Sequence, residues 1–92
     1  MKKAVKIIVQ GTVQGVFFRQ FVEDHASNLE LKGFVRNLTG GEVEIVIEGE
    51  SENIERFIGF VRKGPEHAQI RHIQVEERKW SGEFKEFKVL RF

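Results

Sequence analysis

A chain of 92 residues cannot bury two independent cores, because below roughly 100 to 150 residues there is too little apolar surface for more than one. Lys and Arg total 15 against 14 Asp and Glu, so no broad cationic field draws the chain onto nucleic acid or anionic lipid, and any anion site must be local. No cysteine is present, which excludes a disulfide framework, a thiol nucleophile and a thiolate metal site together.

The opening MKKAVKIIVQG has a basic start, but its apolar stretch is far shorter than a secretory h-region and already alternates like a strand. It reads as mature protein. No apolar run approaches the roughly 18 residues that span a bilayer, so the expectation is a cytoplasmic protein without a membrane partner. Val5, Ile7 and Val9 share one face at the two-residue period of a first strand, Ala4 to Gln10, which Gly11 ends. After a loop to Phe17, the residues Phe18, Phe21, Val22, His25, Ala26 and Leu29 form the stripe of an amphipathic helix, predicted from Phe18 to about Leu31.

Two strands follow, Lys32 to Leu38 and Glu42 to Glu48, joined by Thr39-Gly40-Gly41, whose glycines accept the positive φ of a tight antiparallel hairpin. In the second, Val43, Ile45 and Ile47 alternate with Glu42, Glu44 and Glu48, which predicts one buried and one solvated face with Val46 as the exception. Ser51 is a candidate cap for a second helix whose stripe is Ile54, Phe57, Ile58 and Val61, and Arg62-Lys63-Gly64-Pro65 stops it. Ile70 to Arg78 and Glu83 to Phe92 have strand character. Ile70 and Ile73 do not share a two-residue register, so a bulge or short strand start is expected there. The order β-α-β-β-α-β with a short terminal strand predicts an α+β, ferredoxin-like sandwich: an antiparallel sheet with two helices on one face and a short fifth strand, as a single domain over residues 1–92.

The loop from Gly11 to Arg19, GTVQGVFFR, joins a strand to a helix, so its free N–H groups and the helix N-terminus can converge on one anion. Gly15 permits a sharp turn and close approach, while Arg19 in the first helical turn can offer a planar, permanently charged fork to phosphate oxygens. It is neither a Walker A loop nor a dinucleotide fingerprint. On geometry alone an ordinary strand-to-helix turn with a surface Arg, for which Glu23 at i+4 is a candidate partner, is the better-supported reading.

The complete string is more specific than its parts: GTVQGVFFR resembles the first signature of the acylphosphatase family. Residues 33 to 37, GFVRN, followed by Gly41, Val43 and Gly49, resemble the second, in order and at the family's spacing. Lys63-Gly64-Pro65 and Ala68 also look like the family's segment after its second helix. There are departures. Many members carry Leu-Gly-Leu where this chain has Leu29-Glu30-Leu31, so the first helix is expected to lack a glycine C-cap. Many also have Thr directly after the signature Asn, where this chain has Leu38 and then Thr39, which leaves open what orients Asn37.

The resemblance implies metal-independent hydrolysis of acyl phosphates, with no cofactor and a small-molecule acyl phosphate as the partner. It implies that Arg19 and N–H groups of Gln14, Gly15, Val16, Phe17, Phe18 and Arg19 hold the phosphoryl group, and that Asn37 steers the attacking water. Inorganic phosphate would be product and inhibitor, and a monomer is expected. Phosphoryl transfer asks a protein chiefly for alignment and charge stabilisation, which fixed N–H dipoles and an Arg provide. His25, His67 and His72 lack metal-ligand spacing, and His25 should pack within the helix stripe. Glu42, Glu44, Glu48, Glu50 and Glu52 read as a solvated face, and Trp80 and the nine Phe residues as core and edge packing. Two rivals use the same fold. An RNA-binding module would begin like Lys32-Gly33-Phe34, but the later aromatics are missing. An anion sensor would keep the cradle and lack only the water-positioning role of Asn37.

Overall fold

The alternation of Val5, Ile7 and Val9 with more exposed neighbours produces β1 (Lys2–Gly11) as an inner strand of a sheet. The computed structural model describes residues 1–13, 16–66 and 68–90. After β1 the chain forms α1 (Val16–Asn28), β2 (Lys32–Asn37), β3 (Val43–Glu50), α2 (Ser51–Lys63), β4 (Ile70–Arg78) and β5 (Phe87–Val89). The strand order is β4-β1-β3-β2-β5. The first four strands pair antiparallel and β5 runs parallel to β2, so the ferredoxin-like arrangement is present and the sheet is mixed through its fifth strand.

Register sets the two faces. Asn37 lies opposite Val43, Val43 opposite Val9, and Val9 opposite Ile73; one row earlier stand Val35, Ile45, Ile7 and Val75. Residues directly opposite in a ladder project to the same side, so these rows form the face against which the helices pack. There α1 covers β2 and β5, and α2 covers β3, β1 and β4. Phe18, Val22 and Ala26 from α1 and Ile54, Phe57, Ile58 and Val61 from α2 complete the buried core. Each of these side chains except that of Ala26 contributes about 1.5 to 3 kcal/mol by leaving water, which is why the predicted stripes face the sheet.

Several boundaries differ from expectation. Helix α1 starts at Val16 and closes at Asn28, and residues 29–31 form a turn: the Leu31 N–H donates to Ala26 O (2.8 Å) and the Glu30 N–H to Ser27 O (3.1 Å). That is a Schellman motif, with Glu30 at φ 57° where glycine is usual. Helix α2 begins at Ser51 itself, with Glu50 as its flanking residue and no side-chain cap bond, so Ser51 is not the cap. Its far end closes as predicted at Gly64 (φ 72°), whose N–H donates to Phe60 O (2.9 Å).

The bulge expected near Ile70 is present. Gln10 faces His72 while Gly11 faces Ile70, so Arg71 is the extra residue, and Ile70 and Ile73 both reach the core. The last strand is shorter than the predicted Glu83 to Phe92. Residues 79–86 first carry the chain from β4 at one edge of the sheet to β5 at the other, across the face without helices, and only Phe87–Val89 lies beside β2; residues 91–92 lie outside the described residues.

The solvated reading holds for Glu50 and Glu52, which are exposed, but fails for Glu48 under that crossing and for Glu44. Glu48 is buried beneath the segment and accepts hydrogen bonds from the Ser81 N–H (2.9 Å), the Ser81 Oγ–H (2.8 Å) and the Gly82 N–H (3.1 Å). Glu44 is buried between Arg36, which donates to it through Nε, and Lys6, 3.6 Å away. Aromatic packing is likewise divided: Phe18, Phe57 and Phe87 are core, while Phe17, Phe60 and Trp80 are exposed. No helix among the described residues is long and apolar enough to cross a membrane.

Candidate active site

β1 and β2 each pair antiparallel with β3, so they run in the same direction and end at the same edge of the sheet. That edge holds Gly11, where β1 gives way to the loop, and Asn37, the last residue of β2. Gly11 has φ 143°, and a side chain there would collide with the Gln69 carbonyl. That carbonyl accepts from the Thr12 N–H (2.9 Å), which fixes the direction in which the loop leaves the strand. Val13 is fully buried and anchors it.

Gln14 and Gly15, at the centre of the predicted cradle, lie outside the described residues, as does the side chain of Val16. The chain re-emerges in α1, whose first N–H groups, from Val16 to Arg19, have no partner within the helix. They carry the positive end of its dipole. No acidic residue occupies that first turn, so nothing in the helix neutralises this end.

Arg19 and Asn37 approach this place from different elements. Arg19 lies in the first turn of α1, which packs over β2, and Asn37 projects from β2 to the helix-bearing face, level with Val43 and Val9. Both side chains are half-buried. Arg19 Nε and Asn37 Oδ1 are the buried side-chain atoms without a hydrogen-bond partner among the described residues.

An ion pair of Arg19 with Glu23 is absent among the described residues; Glu23 instead accepts from Gln20 Nε2 (3.4 Å), which also donates to Asp24 Oδ1 (2.9 Å). Thr39 is exposed, and no hydrogen bond reaches Asn37 Oδ1 from it. The backbone holds Asn37 through the β2–β3 ladder, and the following hairpin closes through the Leu38 N–H to Glu42 O (2.8 Å) and the Gly41 N–H to Leu38 O (3.1 Å).

Two depressions open at this edge. One of about 440 Å³ lies between Gln10, the Gly40–Gly41 turn and Arg71. The other, about 520 Å³, runs from Thr12 and Phe17 along α1 to Pro65 and Ala68. The apolar lining of the second escaped sequence reasoning. Phe17 and Phe21, four apart, were its signal, but only the return of the chain after α2 supplies the opposite wall. Of the histidines, His25 stacks on Phe60 (4.0 Å between centroids) and meets Phe21 edge-on (4.6 Å), as a packed imidazole should; His72 is exposed, and His67 lies outside the described residues.

Fold and edge together define a class: a ferredoxin-like sandwich with Arg19 in the first turn of the helix that follows β1 and Asn37 at the end of the strand β2 beneath it. Residues 5–89 match the acylphosphatase family. An acylphosphatase of Syntrophus aciditrophicus is 43% identical over 90 residues, covering 98% of this chain and 94% of its own. The solved acylphosphatase of Bacillus subtilis superposes with a TM-score of 0.91 at 34% identity, over 99% of this chain and 100% of that one. An acylphosphatase structure from Coxiella burnetii gives 0.90 at 35% identity, over 97% and 93%. The chain belongs to the acylphosphatase family, hydrolases that act on acid anhydrides.

Proposed function

We propose that the chain hydrolyses acyl phosphates to a carboxylate and inorganic phosphate, with Arg19 and the N–H groups from Gln14 to Arg19 holding the phosphoryl group and Asn37 directing the water. The observation that carries this assignment is the pair of buried atoms left without a partner, Arg19 Nε and Asn37 Oδ1. A buried polar atom without a hydrogen bond costs about 1 to 3 kcal/mol, so a donor and an acceptor both kept in that state suit a ligand that completes them.

The chemistry follows from those groups. Phosphate oxygens accept from the helix N-terminus and from the guanidinium, which spread the charge of the transition state. Asn37 Oδ1 accepts from the attacking water and sets its approach. Oxygen of water bonds to phosphorus as the bond from phosphorus to the acyl oxygen breaks. The electron pair leaves on the carboxylate, and the water proton passes to a phosphate oxygen, which becomes inorganic phosphate. An amide takes no proton at neutral pH, and a leaving group as weakly basic as a carboxylate needs none, so neither a general base nor a metal ion is required.

In the same reading one domain over residues 1–92 carries the site and acts as a cytoplasmic monomer, and the near-balanced charge offers nucleic acid little. Steady-state hydrolysis of benzoyl phosphate, followed with and without a chelator, tests the proposal. Turnover unaffected by chelator and inhibited competitively by inorganic phosphate is expected. Activity that disappears with the chelator and returns with a divalent cation would refute the metal-free mechanism.

A further inference from the structure

In-line displacement puts the leaving oxygen on the side of phosphorus opposite the incoming water. With water directed by Asn37 on β2, the acyl group points away from β2. In a sheet ordered β4-β1-β3-β2-β5, that direction leads past the end of β1 toward the segment that enters β4. The groove of about 520 Å³ lies there, lined by the aromatic rings of α1, by Thr12, and by Pro65 and Ala68 of the segment after α2.

Its chemistry is specific. Phe17, in the first turn of α1, is 86% exposed, so most of its ring faces solvent. Phe21, one turn on, is half-buried and leans on Phe18 at 6.1 Å. Asp24 and Glu66 stand on the rim, and no described lining residue is cationic. Such a surface favours a flat apolar group, which can stack on the rings, and repels a second negative charge.

We infer that this groove receives the acyl part of the substrate and selects acyl phosphates whose acyl group is uncharged and aromatic or otherwise apolar. Small and anionic acyl groups are disfavoured. This inference rests on the hydrolytic reading above.

The test compares kcat/KM for benzoyl phosphate, acetyl phosphate and 1,3-bisphosphoglycerate, whose acyl group carries a second phosphate, in the wild-type chain and two variants. Benzoyl phosphate is expected to lead both others by about tenfold or more. Phe21→Ala should shrink the benzoyl-to-acetyl ratio about fivefold. Glu66→Lys, an exposed change that leaves the core intact, should raise 1,3-bisphosphoglycerate relative to benzoyl phosphate roughly threefold at low salt. The inhibition constant of inorganic phosphate reports separately on the cradle. If both ratios stay within about twofold of wild type while phosphate inhibits normally, the groove does not hold the acyl group and the inference is overturned. A wild-type chain that hydrolyses none of the three overturns the activity, and the role of the groove with it.

Discussion

In the proposed reading, Arg19 and Asn37 are the residues at which stability and function pull apart. Each keeps a buried polar atom without a hydrogen-bond partner among the described residues, at a cost of about 1 to 3 kcal/mol, so removing either should not lower the urea midpoint. Their kinetic effects should differ. Arg19→Ala is expected to abolish phosphate inhibition and turnover together. Asn37→Ala should leave the phosphate inhibition constant near wild type while kcat falls roughly 10² to 10³-fold, the usual result of losing a positioned polar group in the transition state. Inhibition constants and kcat measured side by side decide it, and equal loss of phosphate affinity in both variants would contradict the division of roles. Both residues were legible in the sequence, because a local signature placed each of them. Glu44 and Glu48 were not, since nothing in their alternation with Val43, Ile45 and Ile47 reveals what lies over the opposite face.

Among the elements, α1 shows how a local rule can be broken and the fold kept. The Schellman turn forms around Glu30 at φ 57°, although a side chain in that region costs about 1 to 2 kcal/mol relative to glycine. Leu31, buried at the end of the motif, holds the turn in place. Glu30→Gly should therefore stabilise the protein by about 0.5 to 1 kcal/mol after the extra freedom of glycine in the unfolded chain is deducted. Chemical denaturation checks this, and the expected outcome is a higher midpoint with an unchanged slope. The stripe Phe18, Val22 and Ala26 predicted the helix, which begins two residues before the predicted Phe18, at Val16. Helix α2 began where the sequence indicated and without the expected serine cap, since its buried stripe stabilises it more than a cap bond would.

For the molecule as a whole, the segment of residues 79–86 is the unusual feature. It must cross four strand spacings, about 19 Å at 4.8 Å each, with a reach of about 26 to 29 Å for eight extended residues, so little slack remains. Glu48, near the middle of the sheet, fastens it through Ser81 and Gly82, and Phe84 meets Phe34 edge-on at 5.9 Å. Glu48→Ala should destabilise the fold by roughly 2 to 3 kcal/mol, the scale of several hydrogen bonds to one carboxylate. Because Glu48 sits on the face opposite Asn37, kcat should stay near wild type at a temperature where the variant is folded. Urea denaturation with a parallel benzoyl phosphate assay tests both halves.

By itself the sequence determined the order and type of the elements and the sides of the helices that face the core, marked an irregularity near Ile70, and pointed to the residues of the candidate site. Each of these follows from periodicity or from a short contiguous string, information carried by neighbours along the chain. Only the tertiary structure decided that the fifth strand would run parallel beside β2, that two glutamates on the open face would be buried, and that an apolar groove would open between α1 and the segment that leads into β4. Those features join residues tens of positions apart. Whether such a pair meets depends on how the remaining chain closes around the sheet, and local pattern does not encode that closure.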